Sequence, residues 1–99
     1  MRDKMYTIEE IKSLVKPVAK QYGIERIFLF GSYANGDAGH DSDIDLRIDS
    51  GALRGYVKLA GFRRELEEIL ATQVDVLTTG SLDEEFLARI SGEEIVLYE

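Results

Sequence analysis

Asp43 and Asp45 stand two apart in the stretch Asp43-Ile44-Asp45-Leu46-Arg47-Ile48-Asp49, where apolar and charged residues alternate. A period of two is the pattern of a strand with one apolar and one charged face. Both carboxylates therefore leave the same face, about 7 Å apart at ~3.3 Å of rise per residue. Two like charges so placed repel unless a cation lies between them. Hard oxygen donors at this spacing suit Mg²⁺, which takes one or two protein carboxylates and completes its shell with water and substrate phosphates. The competing reading is a solvated strand face that binds nothing.

A third carboxylate bears on the choice. Asp75 interrupts the apolar run Val74-Asp75-Val76-Leu77, and a carboxylate flanked by valines is costly to bury without a partner. A strand here should neighbour the Asp43–Asp45 strand, so that three carboxylates converge on a shared metal. The alternative is an ion pair between Asp75 and Arg47, which alternation places on the same face as Asp43 and Asp45. Gly31-Ser32 follows the apolar run Arg26-Ile27-Phe28-Leu29-Phe30. Glycine at the end of a strand lets a phosphate approach the backbone, and serine opening a helical turn presents N–H and hydroxyl donors. On its own a Gly-Ser pair is an ordinary strand end; before an Asp-x-Asp strand it faces a diacid. His40, the sole histidine, sits in a loop and reads as solvent-exposed, although it could touch a nucleotide. Tyr33 is either a base-stacking or a packing residue. Arg54, Lys58, Arg63 and Arg64 form the one basic concentration, either a solvated helix face or a contact to substrate or partner.

The elements that hold these residues follow from pattern and caps. Thr7 and Glu10 form a capping box for a helix whose apolar residues Ile8, Ile11, Leu14, Val18 and Tyr22 recur at helical spacing, with Gly23 as C-cap and Pro17 implying a kink. Arg26–Phe30 suits a strand buried on both faces. Residues 33–42 read as a short turn and a loop, residues 43–49 as a strand. Residues 56–71 read as a helix burying Val57, Ala60, Leu66, Ile69 and Leu70. A third strand begins at Val74. Ser81, with Glu84 three residues on, caps a last helix carrying Phe86, Leu87 and Ile90 and closed by Gly92. Glu94–Tyr98 is a short strand or an extended tail. The order gives an α/β (α+β) domain: a small mixed sheet with helices packed on it.

The 99 residues fit one domain spanning 1–99. Hydrophobic residues make up 44% and charged residues 31%, which excludes a low-hydrophobicity disordered chain. No apolar run reaches the ~18 residues of a transmembrane helix, and residues 1–4 open no signal-peptide core. There is no cysteine, so disulfides, thiolate-bound zinc and thiol nucleophiles are excluded, and a cytoplasmic address is expected. The net charge of −7 opposes unaided binding of a nucleic-acid backbone. Any phosphorylated ligand needs its charge neutralised by something besides side-chain cations.

Gly31-Ser32, Ala34-Asn35-Gly36, Ser42-Asp43-Ile44-Asp45-Leu46 and a lone Asp75 on a later strand together resemble the DNA polymerase beta-like nucleotidyltransferase superfamily. Within it the chain is similar, over nearly its whole length, to the minimal nucleotidyltransferase (MNT) antitoxins that pair with HEPN-domain toxins. The family pattern carries Arg where this chain has Asn35. The resemblance implies a nucleotidyltransferase-like fold and transfer of AMP from ATP, with loss of pyrophosphate, onto a hydroxyl of a HEPN toxin, in all expectation a tyrosine. It implies two Mg²⁺ ions held by Asp43 and Asp45, with Asp75 completing one site and helping to activate the attacking hydroxyl. Gly31 and Ser32 are implied to hold the β- and γ-phosphates. The alternative is an antitoxin with a weak or silent site that masks its toxin by stoichiometric binding.

Overall fold

The computed structural model describes residues 5–99; the reading of residues 1–4 lies outside them. The first helix, α1, spans Ile8–Tyr22. Its capping box forms as the sequence implies: Glu10 N–H donates to Thr7 Oγ1 at 3.1 Å, and Thr7 N–H to Glu10 Oε1 at 2.8 Å. Gly23 ends it with φ 69°. The helix runs unbroken through Pro17, which lies on the exposed side.

Strand β1 (Arg26–Phe30) leads into a four-residue helix α2 (Ser32–Asn35), then β2 (Ile44–Asp49), α3 (Tyr56–Leu70) and β3 (Val74–Thr78). A 3-10 turn (Thr79–Ser81), α4 (Glu84–Ser91) and β4 (Ile95–Tyr98) complete the order. The sheet is mixed, in the order β3-β2-β1-β4, with β2–β3 parallel and β1 antiparallel to both β2 and β4. Asp43 stands one residue before β2 rather than inside it.

Alternation sets the two faces. Ile27, Leu29, Ile44, Leu46, Ile48 and Val74 join Ile11 and Val15 of α1 and Phe62, Leu66 and Leu70 of α3 in one core. The opposite face carries Phe28, Phe30, Asp45, Arg47 and Asp75. β1 is therefore buried on one face, not on both, because its site-facing residues are only half-buried. In α3 the buried stripe is Phe62, Leu66 and Leu70, while Val57, Ala60 and Ile69 are exposed. Leu66 and Leu70 are thus buried as the pattern implies, and Phe62 completes their stripe. Ser81 does not cap α4. Asp83 does, its Oδ1 accepting from Phe86 N–H at 2.8 Å, and Ser81 bonds to Thr78 within the 3-10 turn. No helix among the described residues is long and apolar enough to cross a membrane.

Candidate active site

The parallel register of β2 and β3 sets Asp45 opposite Asp75, and the antiparallel register of β1 and β2 sets Phe30 opposite Asp45. Asp75 therefore shares a face with Asp45, as the sequence implies. Burial, the charge of Asp75, a hydrogen bond shared with Asp75 and the charge of Asp43 push the Asp45 carboxyl up to about 6. Carboxylates this close are held together by a shared proton or by a cation. The convergence is that of a pair with a third group at its rim. Among the described residues no three carboxylate or imidazole side chains gather closely enough to hold a metal ion. Asp43, set before the strand, reaches Asp45 by its charge.

Gly31 closes the site from the side of β1. Its φ of 75° and ψ of −153° lie where side chains are strongly disfavoured. A Cβ there would collide with Oδ2 of Asp45. The backbone thus passes against the carboxylate at the only residue type that permits it. Ser32 opens α2 directly after it, half-buried and with its backbone in the first helical turn. Gly31, Ser32, Asp45 and Asp75 are thereby brought to one corner of the sheet.

The donor chemistry fits a hard divalent cation. The groups are all carboxylate oxygens, the charges of Asp75 and Asp43 raise the Asp45 carboxyl, and that repulsion is what a cation relieves. A cavity of about 280 Å³ adjoins them, lined by Phe30, Asp45, Arg63, Asp75, Val76 and Leu77. A larger cleft, about 350 Å³, is lined by Ser50, Leu53, Gly55, Tyr56, Leu59, Thr78 and Gly80. It carries no charged side chain, so it lacks the chemistry of the smaller one.

Arg47 does not pair with Asp75. Its guanidinium makes a two-pronged contact with Glu94, Nε to Oε2 at 2.6 Å and Nη2 to Oε1 at 2.7 Å. Nη1 donates to Thr79 Oγ1 at 2.6 Å, and the group stacks 4.1 Å above the Phe28 ring. That leaves the Asp45–Asp75 pair without the cation that would make it a structural ion pair. Tyr33 is a core residue, 7% exposed, which removes it as a base platform. His40 and Asn35 are exposed. Of the basic run, Arg54 bonds the carbonyls of Gly51 and Leu53, whereas Arg63 reaches the cavity. Nothing in the sequence separates Arg63 from its basic neighbours. Only the phase of α3 against the edge of β3 does.

Comparison with known proteins agrees with this geometry. The family model for polymerase beta nucleotidyltransferases matches residues 9–99. A Methanocaldococcus jannaschii protein named as a candidate protein adenylyltransferase is 36% identical over 88 residues, 89% of this chain and 95% of that protein. Protein adenylyltransferase MntA of Thermococcus cleftensis is 34% identical over 82 residues, 79% of this chain and 83% of that protein. The solved complex of a tri-AMPylated Shewanella oneidensis HEPN toxin with an MNT antitoxin is similar in fold, with a TM-score of 0.71 at 16% identity. That match covers 92% of this chain and 71% of the other. A glycine-serine turn against paired aspartates, on a sheet of this topology and with relatives this alike, makes the chain a member of the polymerase beta nucleotidyltransferase family.

Proposed function

We propose that this chain is a Mg²⁺-dependent protein adenylyltransferase that moves AMP from ATP onto a tyrosine hydroxyl of a cytoplasmic HEPN toxin, and so acts as its antitoxin. The observation that carries the reading is the placing of Asp45 opposite Asp75, with the Asp45 carboxyl raised in pKa and lying against Gly31. The names of the relatives support protein as the acceptor and adenylyl as the group transferred. The Shewanella complex supports a HEPN toxin as the partner.

Each residue has a role in this reading. The Gly31 backbone and the Ser32 N–H and hydroxyl hold the β- and γ-phosphates. Asp43 and Asp45 would hold the metal ions, with Asp75 as a further carboxylate ligand. Bound there, Mg²⁺ supplies charge stabilisation for both the entering and the leaving oxygen of an in-line displacement. Asp75 takes up the phenol proton as the acceptor oxygen bonds to the α-phosphorus. The bond from that phosphorus to the bridging oxygen breaks, and pyrophosphate leaves. A phenol with a pKa near 10 gives up its proton far more readily than an aliphatic alcohol. The AMP then adds negative charge and bulk to the toxin.

Incubation with ATP labelled at the α-phosphate, Mg²⁺ and a HEPN protein as acceptor tests the reading. Label is expected on the HEPN protein, and none when Asp45→Asn replaces the parent. Absence of label with the parent would refute transfer.

Asn35 favours a second reading, in which the chain masks its toxin without modifying it. Asn35 is exposed at the end of α2. If the site is only weakened by this residue, Asn35→Arg should raise the transfer rate or nucleotide affinity by about 1.5–3 kcal/mol, the worth of a charged hydrogen bond. An unchanged rate would mean that this position touches no phosphate.

A further inference from the structure

Arg63 lies on α3, a helix that packs on the far face of the sheet from the carboxylates. Its side chain nevertheless turns around the edge strand β3, where Nε donates to the Val74 carbonyl at 2.9 Å. Glu67 stands 3.7 Å from the same nitrogen and accepts from Val74 N–H at 3.1 Å. These two contacts fix the base of the guanidinium. Among the described residues, no group is hydrogen-bonded to the two terminal nitrogens. Arg63 also lines the cavity that Asp45 and Asp75 line, and among the described residues it is the one cation to do so.

The charge of the site makes this placement informative. Two paired carboxylates with a third at the rim, in a chain of net charge −7, present a negative field to a polyanionic nucleotide. A guanidinium with one nitrogen anchored and its outer edge open presents parallel N–H donors, the geometry that grips a phosphate through two oxygens. We propose that Arg63 binds a phosphate oxyanion of the nucleotide in the cavity beside Asp75, serving as the site's resident cation. The proposal rests on the adenylyltransferase reading for the identity of the nucleotide, while its test does not depend on transfer.

Arg63→Gln removes the charge and keeps an amide that can donate to the Val74 carbonyl, so the edge of β3 stays capped. Titration calorimetry of Mg²⁺-ATP into the full chain is the primary readout, with Arg64→Ala as a neighbouring charge control and a thermal melt to confirm folding. Arg63→Gln should weaken Mg²⁺-ATP binding at least tenfold, Arg63→Lys should fall between the two, and Arg64→Ala should bind within twofold of the parent. Arg63→Gln that binds Mg²⁺-ATP as the parent does would overturn the proposal. So would unchanged nucleotide binding with a raised KM for the HEPN protein alone, which would assign Arg63 to the acceptor. If the parent binds Mg²⁺-ATP but modifies no HEPN protein, the adenylyltransferase reading fails, and the binding comparison still decides Arg63.

Discussion

Asp45 is the residue at which the chemistry of the site becomes measurable without a substrate. Its carboxyl titrates near 6 in the fold against 3.8 for an ordinary aspartate. The folded state therefore holds a proton that the unfolded state has lost between those values. The stability this confers is fully present below about pH 4 and disappears as the pH rises through 6. The whole shift corresponds to roughly 3 kcal/mol at 1.36 kcal/mol per pH unit; solvent screening of a half-buried group reduces it to about 1 kcal/mol. Metal-free Asp45→Asn should thus match the parent near pH 4 and exceed it by about 1 kcal/mol near pH 7. Chemical denaturation at the two pH values measures this. An Asn variant that is less stable than the parent at pH 7 would contradict the repulsion between Asp45 and its neighbours. The same variant should gain far less stability from Mg²⁺-ATP than the parent does, because binding to the folded state alone is what stabilises.

At the scale of elements, β1, β2 and β3 hold the site by register, and the turn at Gly31 seals it. Gly31→Ala must relieve both an unfavourable backbone conformation and a collision with Asp45 Oδ2. A strained backbone of this kind costs about 1–3 kcal/mol, so a loss of at least 2 kcal/mol is expected together with loss of transfer. A melt unchanged from the parent would mean that the turn relaxes freely. Farther along the same face, Arg47 and Glu94 tie β2 to the start of β4, with side chains only 12% and 6% exposed. Removing one partner of a buried pair leaves an uncompensated charge and costs roughly 3–5 kcal/mol. Glu94→Ala should therefore destabilise more than the double change of Arg47→Met with Glu94→Leu, which equilibrium unfolding resolves.

Elements and site were not equally legible in the sequence. Thr7, Glu10 and Gly23 fixed the ends of α1 because caps are local chemistry. The alternation from Ile44 to Asp49 and the placing of Asp75 on a neighbouring strand were legible because a period of two allows only one assignment of faces, whereas Asp43 lies one residue before the strand that the alternation put it in. The phase of α3 was not. Val57, Ala60 and Ile69 are as apolar as the residues that face the core, and only packing against α1 and β3 decides that Phe62, Leu66 and Leu70 are the ones buried. Ser81 and Asp83 are both good caps, and the choice fell to Asp83 because Thr78–Ser81 is consumed by a 3-10 turn that feeds Thr79 to Arg47 and Asp49. Arg63 reaches the site only because that helix phase is what it is, so no local pattern could disclose it.

At the scale of the whole molecule, the site lies open on a sheet face that α4 covers only in part. Phe86 meets Phe30 edge-on at 6.2 Å, and no residue of α4 is fully buried. An open face and a net charge of −7 suit an acceptor delivered by another protein and disfavour a nucleic-acid backbone. Intact-mass spectrometry of the HEPN protein after co-expression with this chain measures that delivery most directly. The expected result is a gain of one or more AMP residues on tyrosine, lost when Asp43, Asp45 or Asp75 is changed to Asn. A HEPN protein that stays unmodified yet is fully inhibited, and equally so by the Asp43→Asn chain, would contradict transfer and leave masking as the mechanism.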